Sequence, residues 1–355
     1  MTGRFYVGTY TEPILFGTGE VFPGKGKGVY TCQLTGEGKI ETLACAPARN
    51  PSYLCLNPQR EKLYAVNELK ELDGVFGGGL FFLTPEGASA SLPTGGTDPC
   101  HVALAPNGRF LSVANFASGS VTVFPLRADG SLTGEHTLFQ HEGSSIHPLR
   151  QKGPHAHSTI FVPGKNRMLV PDLGIDTLKA YTYEGAAVTP APQFDLRVPA
   201  GSGPRYGEFS RDGRFLYLIN EISSQVMVFL CEDDTYRLLQ TVSTLPPDFD
   251  CSSNICSDLH LTPNGSYLYA SNRGHDSLCC FRILPDGSLC LLQRIPCGGK
   301  TPRNFAIDPS GAWLLAGNQD SDNITVFSIA ENGSLLRHGW VHFPSPVCIC
   351  FESNC

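Results

Sequence analysis

Residues 203–229 read GPRYGEFSRDGRFLYLINEISSQVMVF, and this stretch shows the pattern on which the fold prediction depends. An apolar segment ends at an Asp-Gly turn, a second segment, RFLYLIN, follows it, and a third, QVMVF, comes after a polar turn. Short segments rich in β-branched and aromatic residues and separated by turn signals are typical of antiparallel strands. The stretch therefore predicts three successive strands, which we call A, B and C.

The same pattern recurs along the whole chain. Similar segments begin at residues 50, 98, 153, 203, 256 and 301, so the spacing is 45 to 55 residues. A further turn, written ADGSL, PDGSL or ENGSL, leads into a fourth strand, D, and its Asp-Gly or Asn-Gly step suits the positive φ of a tight hairpin. Four strands at this spacing are typical of a propeller blade. We therefore predict an all-β chain that forms one propeller domain over residues 1–355.

The two ends of the chain predict a seventh blade. RFYVGTY at 4–10, GVYTCQL at 28–34 and KIETLACA at 39–46 resemble strands B, C and D, whereas strand A is missing there. SPVCICFE at 345–352 resembles strand A. We expect this C-terminal strand to join the N-terminal blade, because closing the ring in this way removes open sheet edges. The prediction is a seven-bladed β-propeller with four-stranded antiparallel blades.

Composition excludes several classes of partner. The formal net charge of -7 argues against nucleic acid or an anionic membrane, since both require a basic surface. No basic leader precedes an apolar segment and no apolar run reaches about 18 residues, so we expect a cytoplasmic protein without a membrane partner. The 14 cysteines include no C-x-x-C pair, which argues against a thiolate zinc site. We expect no metal or cofactor, and a monomer or weak homo-oligomer.

The long connections all enter strand A or join strand B to strand C. Examples are residues 11–28, which could close over a site, and residues 141–153. In a meandering blade these connections share one end of the sheet, and long loops on a rigid scaffold are where sites are usually built. Asparagines that recur at the ends of strand B are interpreted as turn-stabilising: Asn115, Asn220, Asn272 and Asn318.

Four polar residues near this face break the repeat, and we predict that they are catalytic: His157, Arg205, Glu221 and Arg273. An imidazole and a carboxylate can act as a general acid/base pair, and paired guanidiniums suit a carboxylate or phosphate. A mutually satisfied ring of salt bridges is the structural alternative. A second set is predicted to bind substrate: His155, His101, Arg303 and Glu68.

The segments GPHAHS at 153–158, GPRYGEFSRDGRFLYLINE and YASNRGHDS resemble the lactonase family of seven-bladed β-propellers. The resemblance implies metal-independent hydrolysis of a small anionic sugar lactone, most simply 6-phosphogluconolactone to 6-phosphogluconate, as in the pentose phosphate pathway. It also implies that His157, Arg205, Glu221 and Arg273 form the site, with either His157 or Glu221 activating water. Tyr206 departs from the family's common Gly-Pro-Arg-His pattern, which puts a role for that neighbour in doubt.

Three alternatives stay open at this point. The same arginines could hold the carboxylates of 3-carboxy-cis,cis-muconate in a cycloisomerisation. A metal-dependent sugar lactonase would use His155, His157, Asp172 and Glu221 as ligands, although nearby arginines repel a cation. A propeller can also be a binding scaffold without enzymatic activity, since fold does not imply function.

Overall fold

The computed structural model describes residues 3–16, 19–57, 59 and 61–352. In this part of the chain the strands form seven sheets of four or five strands and two short two-stranded ribbons. Short 3₁₀ turns occur at Pro192–Phe194 and Cys251–Ser253. No helix in the described part has the length and apolar character needed to cross a membrane.

Six sheets, numbered 1 to 6, follow one another along the chain. Sheet 1 contains Leu54–Asn57, Lys62–Asn67, Gly79–Thr84, Gly87–Ala88 and Leu92–Pro93. Sheet 2 contains Pro99–Leu104, Phe110–Asn115, Ser120–Pro125 and Thr137–Gln140. Sheet 3 contains Ile160–Phe161, Arg167–Asp172, Thr177–Glu184, Ala187–Pro190 and Leu196–Arg197. Sheet 4 contains Pro204–Phe209, Phe215–Asn220, Gln225–Glu232 and Thr235–Ser243. Sheet 5 contains Ile255–Leu261, Tyr267–Arg273, Ser277–Ile283 and Leu289–Pro296. Sheet 6 contains Pro302–Ile307, Trp313–Asn318, Asn323–Ile329 and Leu335–His342.

The seventh sheet, which we call the closing sheet, joins the two ends of the chain as predicted. Its strands, in spatial order, are Pro346–Phe351, Gly3–Thr9, Gly28–Leu34 and Ile40–Pro47. The strand predicted over residues 28–34 has the observed bounds, and each of the other three differs by one residue at both ends. Phe351 is fully buried and its ring centroid lies 5.2 Å from that of Phe5 on the neighbouring strand. The prediction that the C-terminal strand completes the N-terminal sheet is confirmed.

The chain divides into two compact units. Unit 1 comprises the described residues of Met1–Val7, Tyr30–Cys45 and Arg205–Asn354, and so contains sheets 4 to 6 and most of the closing sheet. Unit 2 comprises the described residues of Gly8–Val29 and Ala46–Pro204, and so contains sheets 1 to 3. Each unit has its own apolar clusters between neighbouring sheets. One domain over residues 1–355 stays a prediction.

The turns before strand D make the same contact in two places, since each accepts a hydrogen bond from a tyrosine of the preceding sheet. In unit 1 the Tyr217 and Tyr269 hydroxyls donate to the carbonyl oxygens of Gly287 and Gly333, at 3.1 and 2.9 Å. Each glycine belongs to the Asp-Gly or Asn-Gly turn before strand D of the next sheet. Gly333 has a φ of 83°, and a Cβ there would lie 2.3 Å from Tyr267 Cδ1. Glycine at position 333 therefore serves two purposes. It suits the positive φ of the tight hairpin, and it leaves room for the Tyr267 ring of the preceding sheet.

Candidate active site

Three of the four predicted catalytic residues form one buried ion cluster in unit 1. Arg205 Nε donates to Glu221 Oε2 at 2.9 Å, and Arg273 Nη2 donates to the same oxygen at 2.7 Å. The side chains of Arg205, Glu221 and Arg273 are 9%, 3% and 10% exposed. Charge-assisted hydrogen bonds of this kind are stronger than neutral ones. The structure thus brings together two guanidiniums and a carboxylate that are separated by up to 68 residues in the sequence.

Local backbone geometry of sheet 5 holds both arginines. Arg273 ends the second strand of the sheet, opposite Ile255, and its Nη2 also donates to the Cys256 carbonyl oxygen at 3.0 Å. The pairing register shifts between Cys256 and Leu259, and within this bulge the Ser257 carbonyl oxygen accepts a short hydrogen bond from Arg205 Nη1. Bulges of this kind often aim groups at functional sites. The two guanidiniums are therefore fixed by backbone oxygens as well as by Glu221.

The shared contact determines what Glu221 can do. Both guanidiniums donate to Oε2, and two adjacent positive charges stabilise the ionised carboxylate. A carboxylate stabilised in this way is a weak base. Of the two groups considered for activating water, His157 and Glu221, the imidazole is therefore better suited to take the proton.

His157 lies in unit 2, where it is buried beside a thiol. Cys100 Sγ lies 3.7 Å from His157 Nδ1 and 3.3 Å from the His157 carbonyl oxygen. His155 Nδ1 lies 2.9 Å from the Phe116 carbonyl oxygen, and the Phe116 ring stacks on His155 at 4.6 Å. The same ring meets His157 edge-on at 5.2 Å. Convergence of His157 with Arg205, Glu221 and Arg273 stays a prediction.

Asp172 at the end of a sheet 3 strand orders the segment that carries the two histidines. Its Oδ1 accepts hydrogen bonds from the backbone N–H groups of His155 and Gly174 at 2.7 and 2.9 Å. Its Oδ2 lies 2.7 Å from His141 Nδ1, and His141 Nε2 lies 2.8 Å from the Tyr181 hydroxyl. Asp172 and His141 are buried. These contacts indicate a structural role for Asp172 rather than the metal-ligand role considered for it.

Three of the predicted substrate-binding residues are in unit 2, and two of them are buried in specific contacts. His101 is 5% exposed and its ring lies 4.3 Å from that of Tyr53. Glu68 is also 5% exposed, and its Oε2 accepts a hydrogen bond from the Tyr10 hydroxyl at 2.9 Å. Burial, followed by the charge of Glu68, raises the pKa of Asp98 to about 7. Asp98 is thus a group that titrates near neutral pH and that the sequence patterns did not indicate.

Arg303, the fourth predicted substrate-binding residue, lies in unit 1 and is half-buried. It occupies a register shift between Pro302 and Asn304, and its Nη1 lies 3.5 Å from Gln319 Oε1. Its carbonyl oxygen accepts a hydrogen bond from the Ser257 hydroxyl at 2.5 Å. This contact connects Arg303 to the backbone segment that holds Arg205.

The recurring asparagines form turn contacts, as interpreted from the sequence. Asn115 Nδ2 donates to the Ser120 hydroxyl at 3.1 Å, and Asn272 Nδ2 donates to the Ser277 hydroxyl at the same distance. In each case the bond spans the connection between strands B and C. All four asparagines are fully buried.

Sequence patterns missed a second ionic cluster in unit 1. His260 Nδ1 lies 2.6 Å from Glu208 Oε1, and His260 Nε2 lies 3.0 Å from Asp258 Oδ2. Asp258 also accepts hydrogen bonds from Asn304 Nδ2 at 2.6 Å and from the Phe305 N–H at 3.2 Å. The cluster therefore connects the first strands of sheets 4, 5 and 6.

The electrostatics of this cluster follow from its two carboxylates. Burial alone lowers the pKa of His260, but the charges of Asp258 and Glu208 outweigh it and hold that pKa well above the usual value. Burial alone raises the pKa of Asp258, but the positive charges of His260 and Arg205 outweigh it and lower that pKa. Tyr206, whose hydroxyl donates to Glu208 at 3.4 Å, has a raised pKa through burial and the charges of Glu208 and Asp258.

The cluster predicts an alkaline limb in the stability profile. Since the pKa of His260 is raised on folding, its contribution is complete below the unfolded value of about 6.5 and is lost as the pH rises through the folded value. The contribution of Asp258, whose pKa is lowered, is present above about pH 4 and is lost on acidification. His260→Gln should therefore flatten the decline of the unfolding free energy above neutral pH.

Denaturant unfolding from pH 6 to 10 would measure this effect. His338→Gln is the matched control, because His338 is exposed and its ring lies in a T-shaped arrangement 5.1 Å from the ring of Trp313. Equal alkaline slopes for the wild type and His260→Gln would contradict the assigned charge state of His260.

The fold agrees with comparison to known proteins. Residues 4–351 match the family model described as "Lactonase, 7-bladed beta-propeller". The chain belongs to this family of seven-bladed β-propellers, which confirms the predicted fold class.

Individual relatives resemble nearly the whole chain. It is 32% identical over 315 residues to the 6-phosphogluconolactonase of Bacillus subtilis, covering 85% of this chain and 84% of the relative. A 6-phosphogluconolactonase of Formosa agariphila is 31% identical and covers 73% of this chain and 75% of its own. The solved structure of a periplasmic gluconolactonase from Pseudomonas aeruginosa has a TM-score of 0.89 and 34% identity, and the match covers 99% of both chains.

Proposed function

We propose that this chain is a lactonase that hydrolyses a small anionic sugar lactone, with 6-phosphogluconolactone as the first candidate. The observation that carries the proposal is the pair of buried guanidiniums on Glu221, in a chain whose relatives include 6-phosphogluconolactonases and a gluconolactonase. Guanidinium groups bind carboxylates and phosphates through paired hydrogen bonds. The proposed location is cytoplasmic, and the proposed assembly is a monomer or weak homo-oligomer.

In the proposed mechanism, four residues have three different roles. His157 takes a proton from water, the water oxygen adds to the lactone carbonyl carbon, and the ring carbon–oxygen bond then breaks. The proton passes from His157 to the departing ring oxygen, so that the product is the open hydroxy acid. Arg205 and Arg273 stabilise the substrate's anionic group or the developing oxyanion. Glu221 keeps the two guanidiniums in place.

His155, His101, Arg303 and Glu68 complete the proposal as substrate-binding residues. His155 is half-buried, and its ring is oriented by the Phe116 carbonyl oxygen and the Phe116 ring. An imidazole held in this way can donate or accept one directed hydrogen bond to a sugar hydroxyl. Arg303 supplies a third positive charge in unit 1, which suits a phosphorylated substrate.

Acid release from freshly prepared lactones tests the proposal. Purified protein should accelerate hydrolysis of 6-phosphogluconolactone above the spontaneous rate. Faster hydrolysis of this lactone than of unphosphorylated gluconolactone would support binding of the substrate phosphate by the proposed anion-binding arginines. Ultraviolet absorbance with 3-carboxy-cis,cis-muconate would detect cycloisomerisation instead. Chelator treatment tests the metal-dependent alternative. Rates no higher than the spontaneous background with both lactones would contradict the proposed function.

A further inference from the structure

The bulge in the first strand of sheet 5 lies directly beside the arginine–glutamate cluster. Ser257 and Asp258 are the residues between Cys256 and Leu259, where the register with the second strand shifts. They are 0% and 3% exposed. The Asp258 N–H donates to the Ser271 hydroxyl at 3.0 Å. The backbone of the bulge is therefore held by side-chain contacts as well as by strand pairing.

Three arginines of the proposed site contact this short segment. Arg273 Nη2 donates to the Cys256 carbonyl oxygen at 3.0 Å, and Arg205 Nη1 donates to the Ser257 carbonyl oxygen. The Ser257 hydroxyl donates to the Arg303 carbonyl oxygen at 2.5 Å. A shift of this backbone would therefore move the oxygens that orient two guanidiniums and the hydroxyl that contacts the third arginine.

The Asp258 carboxylate connects the bulge to sheet 6. Its Oδ2 accepts hydrogen bonds from Asn304 Nδ2 at 2.6 Å and from the Phe305 N–H at 3.2 Å. Asn304 Oδ1 in turn accepts from the Ile349 N–H of the closing sheet at 2.6 Å. Asp258, Asn304 and Phe305 are all buried, so a donor that loses its acceptor here is costly to leave unpaired. These bonds fix the position of the bulge relative to two neighbouring strands.

The same carboxylate also contacts the side chains of sheet 5 and sheet 4. His260 Nε2 lies 3.0 Å from Asp258 Oδ2, and His260 Nδ1 lies 2.6 Å from Glu208 Oε1. Glu208 Oε2 accepts a hydrogen bond from the Leu261 N–H at 2.9 Å. A continuous line of contacts thus runs from sheet 4 to the closing sheet, and Asp258 is its central member.

We propose that Asp258 is a positioning residue that holds Arg205 and Arg273 in their anion-binding geometry through the bulge. Its side chain is 4% exposed, and it acts through the Cys256 and Ser257 carbonyl oxygens rather than by touching substrate. Supporting bonds of this kind keep binding groups in a productive geometry. The consequence for substrate binding rests on the proposed function, whereas the effect on the geometry of the arginines does not.

Asp258 also acts on Arg205 by charge. Burial raises the pKa of Asp258, but the positive charges of His260 and Arg205 outweigh it and lower that pKa. Arg205 therefore interacts with two carboxylates, that of Glu221 through a hydrogen bond and that of Asp258 through space. Asparagine at position 258 keeps one accepting oxygen without the charge, whereas alanine removes both. The two variants therefore separate the charge from the hydrogen bonds.

Nitrogen NMR of the protein labelled with ¹⁵N-arginine tests the geometry without any ligand. The spectrum of Arg205→Lys identifies the Arg205 Nε–H signal by subtraction, and this group donates to Glu221 at 2.9 Å in the structure. In Asp258→Ala the signal should shift and its exchange with water should become faster. Asp258→Asn should show a smaller change. If the asparagine variant changed the signal as much as the alanine variant, charge alone would be the cause and positioning through the bulge would be wrong.

Asp308→Ala is the matched control, because Asp308 is also a buried carboxylate that accepts hydrogen bonds from the backbone. Its Oδ1 accepts from the N–H groups of Ala312 and Trp313 at 2.9 and 2.7 Å, in the turn that follows the first strand of sheet 6. The control should lower the unfolding midpoint and leave the Arg205 signal unchanged. A merely structural role for Asp258 predicts that same result for Asp258→Ala.

Binding of inorganic phosphate and kinetics of lactone hydrolysis test the consequence. By titration calorimetry, Asp258→Ala should bind phosphate about 10-fold more weakly than the wild type, since the two guanidiniums are less well oriented. KM for 6-phosphogluconolactone should rise by a similar factor while kcat changes less, because the proposed base is unaltered. Asp258→Asn should recover part of the affinity, and Asp308→Ala should match the wild type in affinity, KM and kcat.

The measurements separate the possible failures. A wild type that neither binds phosphate nor hydrolyses lactone, but whose Arg205 signal changes in Asp258→Ala and not in Asp308→Ala, refutes the proposed function and supports the positioning role. An active wild type whose Asp258→Ala variant keeps the Arg205 signal and KM refutes the positioning role. If Asp258→Ala does not fold, Asn304→Ala decides, because it removes one bond to the carboxylate and leaves the charge, and an unchanged Arg205 signal there overturns the proposal.

Discussion

Replacing His157 with glutamine should reduce kcat for lactone hydrolysis by about 10²- to 10⁴-fold, the range associated with loss of a general base. Glutamine keeps a planar polar group at the position but cannot accept a proton from water at neutral pH. His157 is 8% exposed and packs edge-on against Phe116, so the substitution replaces this ring contact with a contact to a planar amide. KM should change much less than kcat, because the proposed anion-binding groups are Arg205 and Arg273.

Steady-state rates at saturating lactone, corrected for spontaneous hydrolysis, measure this effect. His338→Gln controls for the loss of an imidazole in general, since His338 is exposed in sheet 6. The unfolding midpoint of His157→Gln should stay close to that of the wild type. A His157→Gln variant with wild-type kcat would remove His157 from the mechanism and leave Glu221 as the only base considered.

The strand pattern was predictable because the turns between strands contain characteristic residues. Asp-Gly and Asn-Gly steps between apolar segments indicate hairpins. A period of 45 to 55 residues indicates the blades of a propeller. The closing sheet could also be predicted, since the leftover segments at the two ends complement each other in strand type. Local residue preference and repetition were sufficient for these features.

The site was only partly predictable, since several of its contacts depend on pairing register rather than on residue type. Cys100 and Ser257 resemble ordinary strand residues, yet each lies in a register shift that turns it toward a functional side chain. The Glu208–His260–Asp258 cluster joins residues up to 52 positions apart, and no sequence pattern indicates that these three residues meet. A comparison of equivalent repeat positions could have singled out Glu208 and His260, because two other segments have alanine at that position, Ala103 and Ala306.

Removing the Glu221 carboxylate should cause the largest loss of stability of any single change argued for this chain. Glu221→Leu leaves the Arg205 and Arg273 guanidiniums 9% and 10% exposed without the carboxylate that binds both. Breaking a buried ion pair by removing one partner costs about 3 to 5 kcal/mol, because the remaining charge stays desolvated. Here one carboxylate serves two cations, so the upper part of this range is expected.

A compensating set of variants shows whether uncompensated charge is the cause. Arg205→Met and Arg273→Met, added to Glu221→Leu, should restore most of the lost unfolding free energy, since well-packed apolar groups can replace a buried ionic cluster. Glu37→Gln is the matched control, because Glu37 pairs with Lys39 at 2.9 Å on the surface and should not change stability measurably. Denaturant unfolding of the four proteins supplies the comparison. If the triple variant is no more stable than Glu221→Leu, the stability of this cluster comes from its shape and backbone hydrogen bonds rather than from charge balance, and the charge-based account of the site is wrong.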